Sequence, residues 1–463
     1  MLEFQPLTYR NLPLLKGYIE RCEYRIAGYS VTCKMMWEDF YHAEFCFSHG
    51  CLIFKNVIYG KITFNYPVPF DPSADEIAAL KEIEEYCVEK YIPLSYMDVP
   101  EEKISVFAGR YRFMTMSDSR NYEDYLYNAE DFRTFSGKKY AGQRNHVNKF
   151  VSSYPNARYC VFLSEDKDKI DRFLDEFLQE DASEGKKRET ELARKLLMEL
   201  PLEDYYVGGY VLDGKIISIA FGTKMGDTLF VHIEKGLRAY EGVYTATANA
   251  FATAEGDAVF INREDDSGTR GLRMSKTQYH PYRMVKKFFV NVKNEWENVK
   301  KFPTIKTERL ILDAVKKEDA EAYFDLCTDD ERNKYWGYDY KKDLKCELYP
   351  EYFYDVQKED KKNKMCFSFA VRLQGKMIGE GVLYRFTGTG RAEAGMRIDK
   401  KYAGHGYGRE AFSALVDWAL YGLGLTEVVS KCYHENAASF AMLSSKMKPT
   451  GKDDVFDYFS IVL

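Results

Sequence analysis

Three glycines at alternate positions, Gly404, Gly406 and Gly408, follow a strand pattern at 394–398 and precede a helix that we predict to end near Leu423. Glycine adopts positive φ angles readily and lets a ligand come close to the backbone. The first N–H groups of a helix have no partner within it, and the helix dipole favours negative charge there. The turn is therefore a candidate anion site, although a plain tight connection between a strand and a helix has the same pattern.

The sequence around the turn excludes or disfavours two well-known phosphate loops. No Gly-Lys-Ser/Thr follows the glycines, so the turn is not a Walker loop. A dinucleotide-binding fingerprint is disfavoured as well, because that motif opens a βαβ unit and does not belong about 60 residues before the end of a domain.

The length of 463 residues predicts two to four domains. Hydrophobic residues make up 45% and charged residues 30%, which excludes a mainly disordered chain. The charged segment 291–303 ends in proline and lacks strong periodicity, so we predict a linker there, followed by a domain at 304–463. Strand patterns and amphipathic helices alternate before the linker, which favours an α/β or α+β fold. The helices are expected at 74–90, 167–180, 186–199 and 243–255.

Several segments of 304–463 occur in an order that is typical of one enzyme superfamily. They are Thr307-Glu-Arg-Leu, Phe367-Ser-Phe-Ala-Val, Arg391-Ala-Glu-Ala-Gly, the glycine turn and Asn436-Ala-Ala-Ser439. This order resembles the GNAT acetyltransferases, most closely the branch similar to ribosomal-protein-alanine N-acetyltransferases. The resemblance implies acetyl-CoA as the acyl donor and an amine-bearing small molecule or peptide as the acceptor.

The resemblance also implies roles for individual residues. The amides of the turn would hold the pyrophosphate of acetyl-CoA, and Asn436 would contact the pantetheine arm. Ser439 stands where the family commonly has Ser or Ala. Ala403 replaces a Gln or Arg of the family pattern, which removes a polar side chain but leaves the backbone cradle. The turn residues concerned are Ala403, Gly404, His405, Gly406, Tyr407 and Gly408.

A general base is expected on the strand before the turn. Glu393 has the position at which several GNAT enzymes carry a base, where a carboxylate can take a proton from an ammonium group through water. A solvated acid at a strand edge is the alternative, and Glu380 could also line the acceptor cleft. The general-acid Tyr that is frequent in the family is replaced by Leu443. Other candidate acids lie near in sequence, although a structural or surface role is favoured for each; they are His405, His434 and Tyr433.

Two segments of the N-terminal part, 136–150 and 268–287, contain basic residues and no acidic ones, although the whole chain has a net charge of −6. One interpretation is two solvated basic helices. The other is a surface that binds a phosphate-bearing ligand, namely a nucleotide, a lipid head group or RNA. Between them, 261–268 places polar residues directly after an apolar stretch, and half-buried charges of this kind usually pair.

Three blocks of the same part, at 137–150, 231–235 and 262–281, resemble the phosphatidylglycerol lysyltransferase C-terminal-like domain family. The likeness is greatest to uncharacterised bacterial members. It implies two GNAT-like modules in tandem, related to the transferases that use aminoacyl-tRNA to build peptidoglycan bridges, with a split near residue 145. We expect one shared pocket for the candidate site residues, which are Arg144, Asn145, His146, Asn148, His232, Glu234, Lys235, Asn262, Arg263, Glu264, Arg273 and Lys276.

We therefore predict an α+β chain of three GNAT-like modules, at 1–145, 146–290 and 304–463, with the linker at 291–303. The last module is predicted to be an acetyl-CoA-dependent N-acetyltransferase, and the first two to form a lysyltransferase-like unit of unknown substrate. Two alternatives stay open for that unit. It is an aminoacyltransferase that uses charged tRNA, or it binds a phosphorylated ligand without catalysis.

Cysteine spacing and hydropathy point away from other classes. The ten cysteines include no C-x-x-C pair, so we expect neither a zinc site nor a disulfide framework. No apolar run approaches the roughly 18 residues of a membrane span, and the first residues lack a signal-peptide pattern. A cytoplasmic location without a membrane span and without a bound metal is the expectation.

Overall fold

The computed structural model describes residues 2–180, 183–336 and 347–463. It contains three mixed sheets of eight strands each. Among the described residues, no helix is both long and apolar enough to cross a membrane. The chain divides into two compact units, one made of 1–83, 95–105 and 116–291, the other of 84–94, 106–115 and 292–463.

The first sheet contains a single described parallel pairing, between Phe64 and Tyr96, and its other described pairings are antiparallel. Its strands are Gln5–Pro6, Glu44–Ser48, Cys51–Ile58, Lys61–Phe64, Val68–Pro69, Ser95–Pro100, Phe113–Ser117 and Lys287–Lys293. The helices of this part of the chain are Leu12–Arg21, Val31–Met36, Glu38–Tyr41, Glu76–Lys90 and Ile104–Arg110.

The second sheet pairs residues 228–230 in parallel with 260–262, and its other described pairings are antiparallel. Its strands are Asp124–Asn128, Arg158–Val161, Tyr206–Leu212, Lys215–Ile216, Ser218–Met225, Thr228–Gly236, Phe260–Asn262 and Arg283–Val285. The helices around it are Ala129–Thr134, Ala141–Ser153, Lys167–Glu180, Glu184–Glu199, Val243–Ala254 and Arg270–Thr277.

The third sheet pairs 391–393 in parallel with 427–429, and both strands continue beyond these residues. Its strands are Ile305–Lys306, Leu310–Ala314, Cys366–Leu373, Lys376–Tyr384, Arg391–Ile398, Glu427–Tyr433, Lys448–Lys452 and Phe456–Val462. The helices of this part are Ala320–Thr328, Asp330–Asn333, Tyr352–Lys362, Tyr407–Asp417 and Ala437–Ser444, with a π-helical turn at Trp418–Leu423.

Each sheet thus has one described pair of parallel strands. The hydrogen-bonded pairing between the two strands ends before at least one of the strands does. We call the opening beyond the last pair the parallel gap of that sheet. It follows Phe64 in the first sheet, Phe230 in the second and Glu393 in the third. Three mixed sheets flanked by helices confirm the α+β class and the GNAT-like modules predicted from the sequence.

Apolar periodicity explains the helices that cover these sheets. In Lys167–Glu180 the buried residues Ile170, Phe173, Leu174 and Phe177 recur at helical spacing and form one stripe. The helices expected at 74–90, 167–180, 186–199 and 243–255 all occur, each with ends shifted by at most two residues. Local sequence pattern is therefore sufficient to predict these four helices.

The segment predicted as a linker contributes to the folded structure. Asn291 belongs to the strand Lys287–Lys293, and Trp296 is 2% exposed in the core of the third sheet, where its ring lies 3.6 Å from that of Phe367. The second sheet starts at Asp124 and the chain returns to the first sheet at Lys287. The domain limits stay predictions, but the strands change sheets at these two points.

Candidate functional site

The glycine turn leads into the helix Tyr407–Asp417, as predicted. Gly404 and Gly406 have φ angles of +82° and +80°, and Gly406 is the residue before the first helical turn. The first helical bond of this end runs from the amide of Glu410 to the carbonyl of Gly406. The N–H groups that precede it lie outside the helical ladder, which gives the turn the character of an anion cradle.

The turn is open at its glycines. Residues 403–406 are exposed, and a Cβ added to Gly404 would have no atom within 4 Å. Arg309 supports the turn from the side, since its Nη1 donates to the carbonyl of His405 at 3.1 Å and its Nε to Glu410 at 2.6 Å. Sequence reasoning missed Arg309, although it lies within the quoted Thr307-Glu-Arg-Leu segment.

The parallel gap of the third sheet lies beside this turn in the chain. Ser430 donates from Oγ to the carbonyl oxygen of Ala394 at 2.8 Å and joins the two strands just beyond their last pair. At the end of Glu427–Tyr433, Asn436 caps the next helix, where its Oδ1 accepts from the amide of Ser439 at 3.1 Å. Asn436 and Ser439 therefore form one local cap.

Glu393 is 8% exposed, and both of its carboxylate oxygens have partners. Oε1 accepts from the Tyr384 hydroxyl at 2.6 Å, and Oε2 accepts from Arg385 Nη1 at 3.1 Å. Burial, and next the charge of Glu393, raise the pKa of Tyr384 far above its usual range, so that hydroxyl stays a donor. Glu393 is thus an oriented, ion-paired carboxylate and not a solvated acid.

The second acid, Glu380, is more completely engaged. It is 2% exposed and accepts from Arg397 Nε at 2.9 Å and Nη2 at 2.6 Å, and from the Tyr323 hydroxyl. Leu443 lies in the apolar core of this sheet. His434 donates to Asp457, and this hydrogen bond raises the pKa of His434 above its usual value.

In the N-terminal part, each residue of 262–266 has its own partner, as expected for half-buried charges. Asn262 donates to Asp124 at 3.0 Å and accepts from the amide of Glu264. The ion pairs are Arg263 with Glu234 at 2.7 Å, Asp265 with Lys287 at 3.0 Å and Asp266 with Arg273 at 2.8 Å. Glu264 Oε1 lies 2.7 Å from Nδ1 of His232.

A β-bulge sends His232 and Glu234 to different partners. Val231 and Ile233 pair with consecutive residues of the neighbouring strand, which leaves His232 as the extra residue. The imidazole is surrounded by hydroxyls, since Nε2 lies 3.1 Å from Ser30 Oγ, 3.0 Å from Thr32 Oγ1 and 2.6 Å from Thr223 Oγ1. Sequence reasoning missed these three residues, because buried Ser and Thr carry no signal of their own.

Other predicted residues serve the same motif from outside. Lys276 donates to the backbone carbonyls of Arg263 and Asp265, and burial lowers its pKa. Lys235 is buried and pairs with Glu189 at 2.7 Å. Both lysines hold protein groups in place.

The first predicted block lies apart from His232. Asn145, His146 and Asn148 are exposed on the helix Ala141–Ser153, and Arg144 donates to the carbonyls of Phe135 and Gly137. Among the described residues, no hydrogen bond or ion pair joins these four side chains to those of 262–266. A single pocket shared by all twelve residues therefore stays a prediction.

The basic segments 136–150 and 268–287 are used in large part within the protein. The side chain of Lys287 is 9% exposed and also pairs with Asp124 at 2.8 Å. Lys139, Lys149 and Lys286 are exposed but have acidic partners, whereas Lys138, Arg270 and Arg283 are exposed without an ion pair among the described residues. The clustering in the sequence therefore overstates the positive charge offered to a ligand.

Two family models match different parts of the chain. Residues 20–291 match the family model described as phosphatidylglycerol lysyltransferase, C-terminal, and 309–445 match that of the acetyltransferase (GNAT) domain. A conserved protein of unknown function from Bacteroides thetaiotaomicron superposes with a TM-score of 0.59 at 24% identity, over 63% of this chain and 100% of its own. That similarity shows a shared fold over the matched part of the chain.

Curated relatives cover shorter stretches. The uncharacterised N-acetyltransferase p20 of Bacillus licheniformis is 29% identical over 31% of this chain and 80% of its own length. The uncharacterised protein MYCGA3080 of Mycoplasmoides gallisepticum is 24% identical over 36% of this chain, which spans 56% of that protein. Since the lysyltransferase model matches more than half of the residues, the chain belongs to the phosphatidylglycerol lysyltransferase C-terminal family and carries a GNAT acetyltransferase domain after it.

Proposed function

We propose that 304–463 is an N-acetyltransferase that moves the acetyl group of acetyl-CoA to an amine. The observation that carries this proposal is the exposed turn with two positive-φ glycines at the start of Tyr407–Asp417, directly after a parallel strand that borders the gap. Membership of the GNAT family supports acyl transfer in general. The acceptor is an amine-bearing small molecule or peptide, and the reaction takes place in the cytoplasm, where acetyl-CoA is present.

The turn suits the pyrophosphate of the donor. Its amides point out of the helix end, and the glycines leave room for phosphate oxygens. Ala403 brings no charge, and the Arg309 guanidinium lies beside His405 as a cation next to the turn. Asn436 and Ser439 are assigned to the pantetheine arm.

In the reaction the neutral amine attacks the thioester carbonyl carbon, the C–N bond forms, the C–S bond breaks and CoA leaves as a thiolate. Glu393 is assigned as the base that takes the ammonium proton through water. Its bonds from Tyr384 and Arg385 fix its orientation. Leu443 cannot protonate the thiolate, so Tyr433 and His434 stay candidates for that step.

The turn is tested by acetyl-CoA binding to the full chain. Gly406→Asp puts a carboxylate into the anion cradle and should abolish the thermal stabilisation that acetyl-CoA gives the wild type. Gly375→Asp is the matched control, because Gly375 has a similar φ of +84° in a hairpin turn with nothing within 4 Å of its Cβ position. Equal stabilisation of both variants, or none of the wild type, would refute the proposal.

The base is tested by kinetics. Glu393→Gln keeps the hydrogen bond from Tyr384 but removes the proton acceptor, and kcat/KM for acetyl transfer should fall by about 10²–10⁴. The control is Glu435→Gln, an exposed acid near Asn436 that should retain activity. Undiminished kcat/KM in Glu393→Gln would remove Glu393 from the mechanism.

For the N-terminal unit, family membership supports aminoacyl transfer from charged tRNA as a second candidate function. The exposed cations Lys138 and Arg270 would contact the RNA backbone. Binding should weaken as the salt concentration rises. The double variant Lys138→Ala with Arg270→Ala should lower the slope of log affinity against log salt concentration by about two. If the protein fails to bind aminoacyl-tRNA at low ionic strength, this candidate is eliminated and phosphate-ligand binding without catalysis takes its place.

A further inference from the structure

A thiol, an imidazole and a carboxylate meet inside the N-terminal unit, in a cluster formed by Cys33, His232 and Glu264. Cys33 lies on the helix Val31–Met36, His232 on the strand Thr228–Gly236, and Glu264 two residues past Phe260–Asn262. One ligand atom of each lies within 4.8 Å of those of the other two. Cys33 and His232 are buried and Glu264 is partly buried, and the three are widely separated in the sequence.

We propose that Cys33, His232 and Glu264 bind a divalent transition-metal ion of the zinc type. A mixed sulfur, nitrogen and carboxylate set is the one that Zn²⁺ and Co²⁺ accept. Tetrahedral bonds of about 2.0–2.3 Å separate neighbouring ligand atoms by about 3.3–3.6 Å. His232 Nδ1 and Glu264 Oε1, now 2.7 Å apart, would therefore move slightly apart around the ion, and a pair as far apart as 4.8 Å would move closer. Three protein ligands leave one position for a fourth ligand.

The surroundings of His232 suit a metal ligand. Nε2 faces the hydroxyls of Ser30, Thr32 and Thr223, while Nδ1 faces Glu264 at 2.7 Å. If Nε2–H donates to one of these hydroxyls, the lone pair of Nδ1 points toward the carboxylate and is available to a metal. Metal-ligating histidines usually have such a hydrogen bond on the other nitrogen.

The backbone and the charges around the cluster support the same assignment. Glu264 has a φ of +58°, a strained value for this residue type, and its amide is held by Asn262. The nearby cation Lys287 is already paired with Asp124 and Asp265.

Metal binding is tested on the full chain produced without a polyhistidine tag. The protein is incubated with Co²⁺ or Zn²⁺, passed through a desalting column and assayed for bound metal. We expect one equivalent per chain, with a thiolate-to-cobalt charge-transfer band that disappears in Cys33→Ser. Cys22→Ser removes another buried thiol and should keep the band. Thr223→Val, which alters only the hydroxyl beside Nε2, should weaken binding by about 10-fold.

A measurement on the wild type covers the case in which variants fail to fold. Zn²⁺ should slow the alkylation of Cys33 relative to that of Cys22 when both are mapped by mass spectrometry. Equal protection of the two thiols, a wild type that retains no metal, or undiminished binding by Cys33→Ser and Glu264→Gln would each overturn the proposal. None of these readouts depends on acetyl-CoA, so the proposed acetyltransferase is tested separately.

Discussion

The second and third sheets use the same backbone device for different purposes. In both, a glycine with positive φ precedes the helix that follows a parallel strand, Gly242 at +87° and Gly406 at +80°. A Cβ on Gly242 would lie 2.5 Å from the carbonyl oxygen of His146, whereas one on Gly406 would meet only Arg309 Nη2 at 3.5 Å. The helix Ala141–Ser153 thus covers the helix end at Gly242 in the second sheet. The corresponding helix end at Gly406 in the third sheet is open.

The parallel gaps of the second and third sheets differ in the same way as their helix ends. In the second sheet the ion pair of Glu234 and Arg263 lies across the gap, and Arg263 also stacks on Tyr279. In the third sheet a single hydroxyl, that of Ser430, joins the two strands. Two modules of one fold can therefore be told apart by what fills the gap and covers the helix end, and both criteria favour donor binding in the third.

The largest effect is expected from breaking the filled gap. The side chains of Glu234 and Arg263 are 13% and 11% exposed, so Glu234→Ala leaves a buried guanidinium unpaired and should cost about 3–5 kcal/mol of unfolding free energy. Removing both charges, with Glu234→Met and Arg263→Met, should restore most of that loss.

The counterpart in the third sheet sharpens this contrast. Ser430→Ala removes one hydrogen bond and should cost only about 1 kcal/mol. Denaturant unfolding of the full chain, monitored in each unit by hydrogen exchange, measures both losses of unfolding free energy. A loss below 1 kcal/mol in Glu234→Ala would mean that the ion pair does not close the gap.

Much of the fold could be predicted because it depends on local sequence patterns. The amphipathic stripe of Lys167–Glu180 and the glycines before Tyr407 are visible without any partner. The change of sheet at Asp124 and Lys287 was not predictable, because strand pairing is a long-range choice that depends on which edges meet.

The candidate site shows the same limit. The segment 262–266 indicated paired charges, and the structure supplies a partner for each. The bulge at His232 could not be predicted, and strict alternation would have put His232 and Glu234 on one face. Arg144 was grouped with them by resemblance, yet it binds the carbonyl of Gly137.

A glycine pair tests the difference between the covered and the open helix end. Gly242→Ala adds the strain of a left-handed residue and a contact with His146, and should cost about 2–5 kcal/mol of stability without changing acetyl-CoA affinity. Gly406→Ala adds only the strain, about 1–2 kcal/mol, but should weaken acetyl-CoA binding at least about tenfold. Thermal unfolding with and without acetyl-CoA separates the effects, and the opposite pattern would assign donor binding to the second sheet.

A pH-dependent effect extends the comparison to the gap of the first sheet, which is occupied by Lys34. Its Nζ donates to Asn56 and Asn65 at 2.9 Å each, and it lies 4.6 Å from the centre of the Tyr41 ring. Burial lowers the pKa of Lys34 to about 8, although the charge of Asp98 acts in the opposite direction. The folded protein therefore releases the proton at a lower pH than the unfolded chain.

Between pH 8 and the ordinary lysine value of 10.5, the unfolded chain holds one more proton at Lys34 than the folded protein does, so this group adds stability as pH rises. The gain approaches about 3 kcal/mol across that range. Lys34→Met removes this titration. Subtracting the unfolding free energy of the variant from that of the wild type cancels the titration of other groups, and this difference should increase with pH. Urea unfolding at several pH values measures the difference. A constant difference would show that Lys34 remains charged in the gap, and the first and second sheets would then both be closed by a buried charge.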